Sequence, residues 1–375
     1  MDAAVYPTVE KVRFIKKIRI STLVWGLLLL SLCILIKVVS YFPFVVENYY
    51  SRGIYPYISS FYRFVFGWIP FSFGDLFYFA TGAYLVYLFI RIIILAYYRR
   101  LTGIKMLSKI KSIVFTTAAI YIYFNLSWGL NYNRPGIASQ LNLTPQMHNA
   151  QDLKTITTIL LQKLNESRLK VNVDKISFKP YPEIFGEAQQ AFQAASVSLP
   201  FMDYKTTSVK RSMYGRMGNY LGFLGYYNPF TGEAQLNLTM PRFLIPYVVC
   251  HEMAHQLGYA SESEASFVGY LAAVQSKDIL FQYSTYFDFF EYANRELYYR
   301  DSAAAKSNYK QLNSLVKNDM SEVRSYWKKS ENSLEPIIKV FYDHYLKANN
   351  QINGLKSYNE VIGWLIAYYK KYGKV

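Results

Sequence analysis

His251-Glu252-Met253-Ala254-His255 sets two imidazoles four residues apart, with a carboxylate directly after the first. On a helix, residues four apart share a face, so both rings can converge on one ion. Glu252 cannot comfortably join them as a ligand, but it can reach a water held at an open metal position. Zinc lowers the pKa of such a water to about 7, and a carboxylate beside it can take the proton as the nucleophile forms. The spacing therefore suits hydrolysis by a zinc-activated water, with His251 and His255 as ligands and Glu252 as general base. The plain alternative is a buried helix with hydrogen-bonded core histidines. Two histidines and a glutamate on an otherwise apolar helix are costly to bury without partners, and a metal supplies one.

A catalytic zinc takes three protein ligands and a water. His148 and His344 are distant and read as ordinary surface or interface histidines. The near candidates are Glu262 and Glu264. Gly258 is placed to end the first helix in a left-handed conformation, and a second helix begins around Ser261. Ser261 and Glu264 have the spacing of a capping box. That gives Glu264 a structural task and leaves Glu262 to coordinate, beside the small Ala265 on its own face. The reading favours Glu262, with Glu264 as the alternative. Cys250 points about 100° away from His251 on a helix and reads as packing. A transition-state donor is expected among the 37 tyrosines; Tyr270 is near but has no special claim.

The elements that must hold these groups are mainly helical. Phe243 to Gly258 reads as the motif helix, and further helical patterns occur near 149–168, 181–197 and after Pro241. Gly215 to Thr239 reads as strands and turns, with Tyr220–Leu224 and Glu233–Leu238 as strands around a turn at Asn228–Gly232. Glu233–Leu238 is either an edge strand beside the metal, able to pair with an extended peptide, or an ordinary internal strand. The expected unit is a mainly α, α+β domain over 149–375, reached through a polar connector at 132–148.

The first third has a different character. The chain is 52% hydrophobic and 18% aromatic, above ordinary soluble usage, and the excess sits in residues 1–131. Three spans are expected, near 20–44, 73–97 and 112–130, each long enough for a hydrocarbon core of roughly 30 Å. No small-residue cleavage site follows the first run, so it reads as an uncleaved anchor. Residues 54–72 look interfacial or re-entrant. Ser72 and Asp75 suggest a helix cap at the second span, and Lys37 and Arg91 sit where they can snorkel.

The formal net charge of +16 invites a nucleic-acid reading. Residues 1–133, however, hold 14 Lys/Arg against 4 Asp/Glu, leaving 27 against 21 for the other 242 residues. The basicity follows the spans, so a lipid bilayer rather than nucleic acid is the expected partner. Basic residues before the first span and between the second and third put those segments in the cytoplasm and everything after about residue 131 outside. The two cysteines, Cys33 inside an apolar run and Cys250 directly before His251, argue against a disulfide framework.

His251-Glu-Met-Ala-His255 with a glutamate downstream resembles the gluzincin class of zinc metallopeptidases. Glu262-Ser-Glu-Ala265 is similar to the Glu-x-x-Ala element that supplies the third ligand in several membrane-linked members, which strengthens Glu262. Here that glutamate follows His255 by only seven residues, closer than in most gluzincins. Gly258 resembles the metzincin turn instead, with Ser261 where that pattern has its third histidine. More closely, Gly53-Ile-Tyr-Pro-Tyr57, Ile69-Pro-Phe-Ser-Phe-Gly-Asp75, Phe230-Thr-Gly-Glu-Ala-Gln235 and Cys250–Gly258 resemble the bacterial membrane family called domain of unknown function 3810. That resemblance implies a multi-span N-terminal region and a C-terminal zincin-like domain, and no known substrate. The expectation is a multi-pass protein of the bacterial cytoplasmic membrane with a periplasmic zinc metallopeptidase domain acting on a membrane-proximal polypeptide. A non-catalytic receptor or scaffold with structural zinc, and a zinc amidase acting on cell-wall material, are the competing readings.

Overall fold

The structure, a computed structural model, describes residues 9–98, 103–143, 149–172, 179–349, 351 and 357–375. Helix α1 (Val9–Ser40) is followed by a π-helical segment (Val46–Ile54), α2 (Tyr55–Gly67), α3 (Phe73–Tyr97) and α4 (Gly103–Ser127). Three apolar segments, Thr22–Ser40, Phe73–Tyr97 and Ser108–Ser127, have mean hydropathies of 2.4, 2.0 and 1.2. They are long enough to cross a bilayer and coincide closely with the expected spans. Their side chains are almost wholly exposed, an arrangement that suits lipid rather than water. Helix α1 packs along α4, whereas α3 has no comparable seam with either among the described residues.

Residues 54–72, expected to be interfacial or re-entrant, are mostly the amphipathic helix α2. Tyr55, Ser59 and Arg63 are buried on one face. Phe64 and Trp68 are 74% and 79% exposed on the other.

The rest of the chain comprises α5 (Gly136–Leu141), α6 (Ala150–Lys170), α7 (Tyr181–Ser196), β1 (Val209–Arg211), α8 (Gly215–Leu221), β2 (Gly225–Asn228), β3 (Glu233–Leu236), α9 (Ile245–Gln256), α10 (Glu262–Ala273), α11 (Ile279–Arg300), α12 (Ser302–Gln311), α13 (Ser314–Lys328), α14 (Glu335–Ala348) and α15 (Ser357–Tyr372). Local chemistry starts several of these helices. Asn149 and Asp152 form a reciprocal capping box on α6, and Asp278, Asp301 and Asn313 accept first-turn amides of α11, α12 and α13, satisfying donors that helix starts leave unpaired. Their apolar faces then meet. Helix α6 packs on α11, α9 on α10, and α7 and α15 cover α10. One core results, including Leu160, Phe192, Met253, Phe267 and Phe289. Helix α5 lies inside the expected connector and buries Ile137 and Leu141 in that core.

The sheet corrects one expectation and decides between the two readings of Glu233–Leu238. Tyr220 and Leu221 end helix α8, and Gly222 terminates it in the left-handed region at φ +81°, so no strand occupies 220–224. The strand order is β1-β3-β2, with β3 parallel to β1 and antiparallel to β2. Glu233–Leu236 is thus the central strand, with β1 and β2 at the edges.

Glu233 and Gln235 are buried there because they hold a helix end. The Glu233 carboxylate accepts the amides of Phe73 and Gly74, and Gln235 donates to Ser72 Oγ. Ser72 in turn accepts the Asp75 amide at 3.0 Å, the cap expected from sequence. A helix N-terminus offers unpaired amides and a positive dipole end, so a buried carboxylate fits it. The Asp75 carboxylate accepts the Met213 amide and the Tyr226 hydroxyl. Lys210 on β1 donates to the carbonyls of Gly67 and Ile69. The second apolar helix therefore begins on the sheet of the globular part, and the two regions interlock.

Candidate metal centre

Helix α9 has Pro246 in its first turn and ends at Gly258, whose φ of +87° suits a residue without a side chain. A Cβ at Gly258 would also lie 2.8 Å from the Tyr55 ring. The last carbonyls of α9 take partners from elements beside the apolar helices. Tyr55 and Ser59 on α2 donate to Gln256 O at 3.0 and 2.6 Å, and Trp128 Nε1 donates to His255 O at 3.2 Å. Arg134 grips both Glu47 oxygens at 2.7 and 3.0 Å and donates to Gly258 O at 3.2 Å. The turn after the motif is fixed from outside the helix.

His251 and His255 present their rings to one side, with centroids 4.8 Å apart. Glu262, in the first turn of α10, lies between them. Its Oε2 is 3.2 Å from His251 Nε2 and 3.6 Å from His255 Nε2. One ligand atom from each of the three lies within 4.8 Å of the others. The opposite ring nitrogens are engaged elsewhere: His255 Nδ1 with Tyr259 O at 2.7 Å, His251 Nδ1 with Ser266 Oγ at 3.2 Å. Such outer partners orient the ring and leave Nε2 for an ion. The donor set of two imidazoles and a carboxylate fits zinc.

Glu264 is not part of this group. Its carboxylate accepts the Ile137 amide at 3.0 Å, at the start of α5. The capping box with Ser261 is absent as well, since Ser261 starts α10 with no side-chain cap and pairs with Ser263 Oγ at 3.1 Å. Glu264 does have a structural task, but it serves a neighbouring helix. His344 is exposed on α14 and bonds Val340 O within its own helix; His148 lies outside the described residues. Cys250 is fully buried in the core. Tyr270 stacks on Phe267 with parallel rings, also buried, and its hydroxyl has no partner.

Glu252 is 3% exposed and its Oε2 has no hydrogen-bond partner. Burial raises its pKa to about 8, opposed by the positive charge on His255. Burial disfavours the charged form of His255, but Glu262 outweighs it and lifts that ring to about 9. Burial also works against the Glu262 carboxylate, yet His255 and His251 hold it well below the usual range. Strand β2 comes close beside Glu252: a Cβ at Gly225 would sit 2.5 Å from Glu252 Oε1.

A family profile described as "Protein of unknown function (DUF3810)" matches residues 50–366. The chain belongs to that family. No curated protein and no solved structure matches it. The DUF3810 match begins at Tyr50 and so takes in α2, α3 and α4 as well as the metal group. In this DUF3810 chain the four stretches that carried the resemblance meet in space: Gly53–Tyr57 caps α9, and Ile69–Asp75 sits on Phe230–Gln235.

A cleft of about 2290 Å³ opens over His251, Glu252, His255 and Glu262. Its walls include the edge strand β2, α11 through Asp288 and Tyr292, and α14 through Tyr342. The Tyr342 hydroxyl donates to Glu262 Oε1 at 3.1 Å. Sequence reasoning missed Ser266, Tyr342, Tyr55 and Trp128. Ser266 was detectable, being four residues after Glu262 on the same helical face. Tyr342 comes from 80 residues away and gives no local signal.

Proposed function

We propose that this chain is a membrane-anchored zinc metallopeptidase that hydrolyses peptide bonds. One observation carries the reading: His251, His255 and Glu262 converge through Nε2, Nε2 and Oε2, and a buried carboxylate with an unpartnered oxygen lies in the same cleft. His251, His255 and Glu262 would hold the ion. Zinc supplies Lewis acidity toward a water and a peptide carbonyl, and brings the pKa of that water to about 7.

The chain's own groups do the rest. Glu252 takes the water's proton at Oε2 as the water oxygen bonds to the carbonyl carbon. It then passes the proton to the amide nitrogen as the C–N bond breaks, releasing a carboxylic acid and an amine. Ser266 and the Tyr259 carbonyl keep the two rings turned inward. The outer side of β2, unpaired in the sheet, offers main-chain groups to an extended substrate, the role first considered for Glu233–Leu238. The basic flanks of the apolar helices support an extracytoplasmic domain at a bacterial cytoplasmic membrane.

The test is metal analysis of the purified full chain with a panel of peptide and peptidoglycan substrates. Stoichiometric zinc and peptide cleavage, the latter lost in Glu252→Gln with zinc kept, are expected. Zinc without turnover would mean a structural or receptor role, and turnover of wall amides alone would mean an amidase.

A further inference from the structure

The cleft over the metal group does not stop at the globular part. Tyr78, Phe79, Gly82, Ala83 and Val86 of α3 also line it. These residues lie on adjacent lines of one helical face, inside the apolar segment Phe73–Tyr97. Val86 is thirteen residues past the start of α3, or about 20 Å along the axis, near the middle of a segment long enough to cross a hydrocarbon core of roughly 30 Å. The wall is therefore within the plane of the bilayer. It is also unpartnered: α3 has no extended seam with another span among the described residues, and Phe79 is 65% exposed. At its middle, Gly82 and Ala83 leave a shallow surface on which a second helix backbone can approach closely. A Cβ added to Gly82 meets nothing within 4 Å.

We infer that this face of α3 docks the transmembrane segment of the polypeptide on which the metal site acts. The inference rests on the hydrolase reading for the word substrate, and the docking itself does not. A polypeptide tethered in the bilayer would lie along Tyr78–Val86 and feed its juxtamembrane stretch up the cleft, past β2, to Glu252. Both ends of that path belong to one cavity.

The experiment uses the full chain in lipid vesicles, with a roughly 20-residue Leu/Ala helix carrying a polar extension as the probe. A photo-crosslinker replaces Phe79 or, as control, Leu85, which is 58% exposed on the same helix and outside the cleft. Metal-stripped protein is used, so capture is read without turnover. Capture several-fold stronger from position 79, removed by Gly82→Trp, is expected. Equal capture from both positions, or capture unaffected by Gly82→Trp, would overturn the docking.

In zinc-loaded protein, tethering a cleavable sequence should raise its kcat/KM by about tenfold or more, and Gly82→Trp should abolish that gain. Equal cleavage of tethered and free forms overturns the inference and leaves the hydrolase intact. Specific capture with no cleavage of either form does the reverse.

Discussion

The Tyr55 hydroxyl donates to the carbonyl of Gln256 at 3.0 Å, one residue past His255, the second histidine of the candidate metal group. A helix between the first two apolar helices thus holds the end of the helix that carries the candidate site. Tyr55→Phe removes one of two donors to that carbonyl and should lower stability by about 1 kcal/mol, read as a fall in thermal midpoint in detergent. An unchanged midpoint would show that Ser59 alone suffices.

Glu262 and Glu264 have different partners, the paired imidazoles and the Ile137 amide. Glu262→Ala should abolish stoichiometric zinc binding. Glu264→Ala should keep zinc and lose about 1–3 kcal/mol, because the Ile137 amide is left without its acceptor. Zinc content and chemical denaturation of the two variants measure both. The opposite pattern would exchange their roles.

Gly225 sets the position of Glu252. A Cβ there would come within 2.5 Å of Glu252 Oε1, so Gly225→Ala must displace either the strand or the base. Turnover should fall about 10²–10⁴-fold, with zinc retained. Full activity in this variant would show that the strand gives way and Glu252 stays in place.

Asp288 gives a pH dependence outside the ligand set. Burial, then Glu291, raises its pKa from 3.8 to about 7, against the pull of Arg295. The unfolded chain releases this proton near 3.8, whereas the folded chain holds it to about 7. Across that window the folded state binds more protons, so rising pH favours unfolding. The contribution is complete at low pH and gone above about 7. Asp288→Asn should flatten that part of the stability profile, as measured by unfolding between pH 5 and pH 8. A profile with unchanged slope would contradict the assignment.

The globular part should not fold well when excised. Glu233 caps the first turn of α3, and Arg134 is paired with Glu47 in a buried contact. Cutting such a pair costs about 3–5 kcal/mol. A fragment of residues 132–375 should show no cooperative unfolding and substoichiometric zinc; a sharp transition would refute the interlock.

Much of this protein was legible in one dimension, for reasons of range. The three apolar segments declare themselves by length and composition, because lipid asks only for an uninterrupted run of helix. His251 and His255 share a face because a helix repeats every 3.6 residues, and Gly258 marks the end of that helix because its backbone conformation disfavours side chains. These are properties of adjacent residues. The choice between Glu262 and Glu264 is different, since both fall in one turn and only the approach of α5 engages the second. Glu233 and Gln235 read as part of a strand, either edge or internal, and their burial depends on a helix end 160 residues earlier in the chain. Tyr342, Tyr55 and the α3 wall of the cleft reach the site through folding alone. Local geometry fixed which groups could do chemistry; long-range packing decided which of them meet, and against which side of the membrane region.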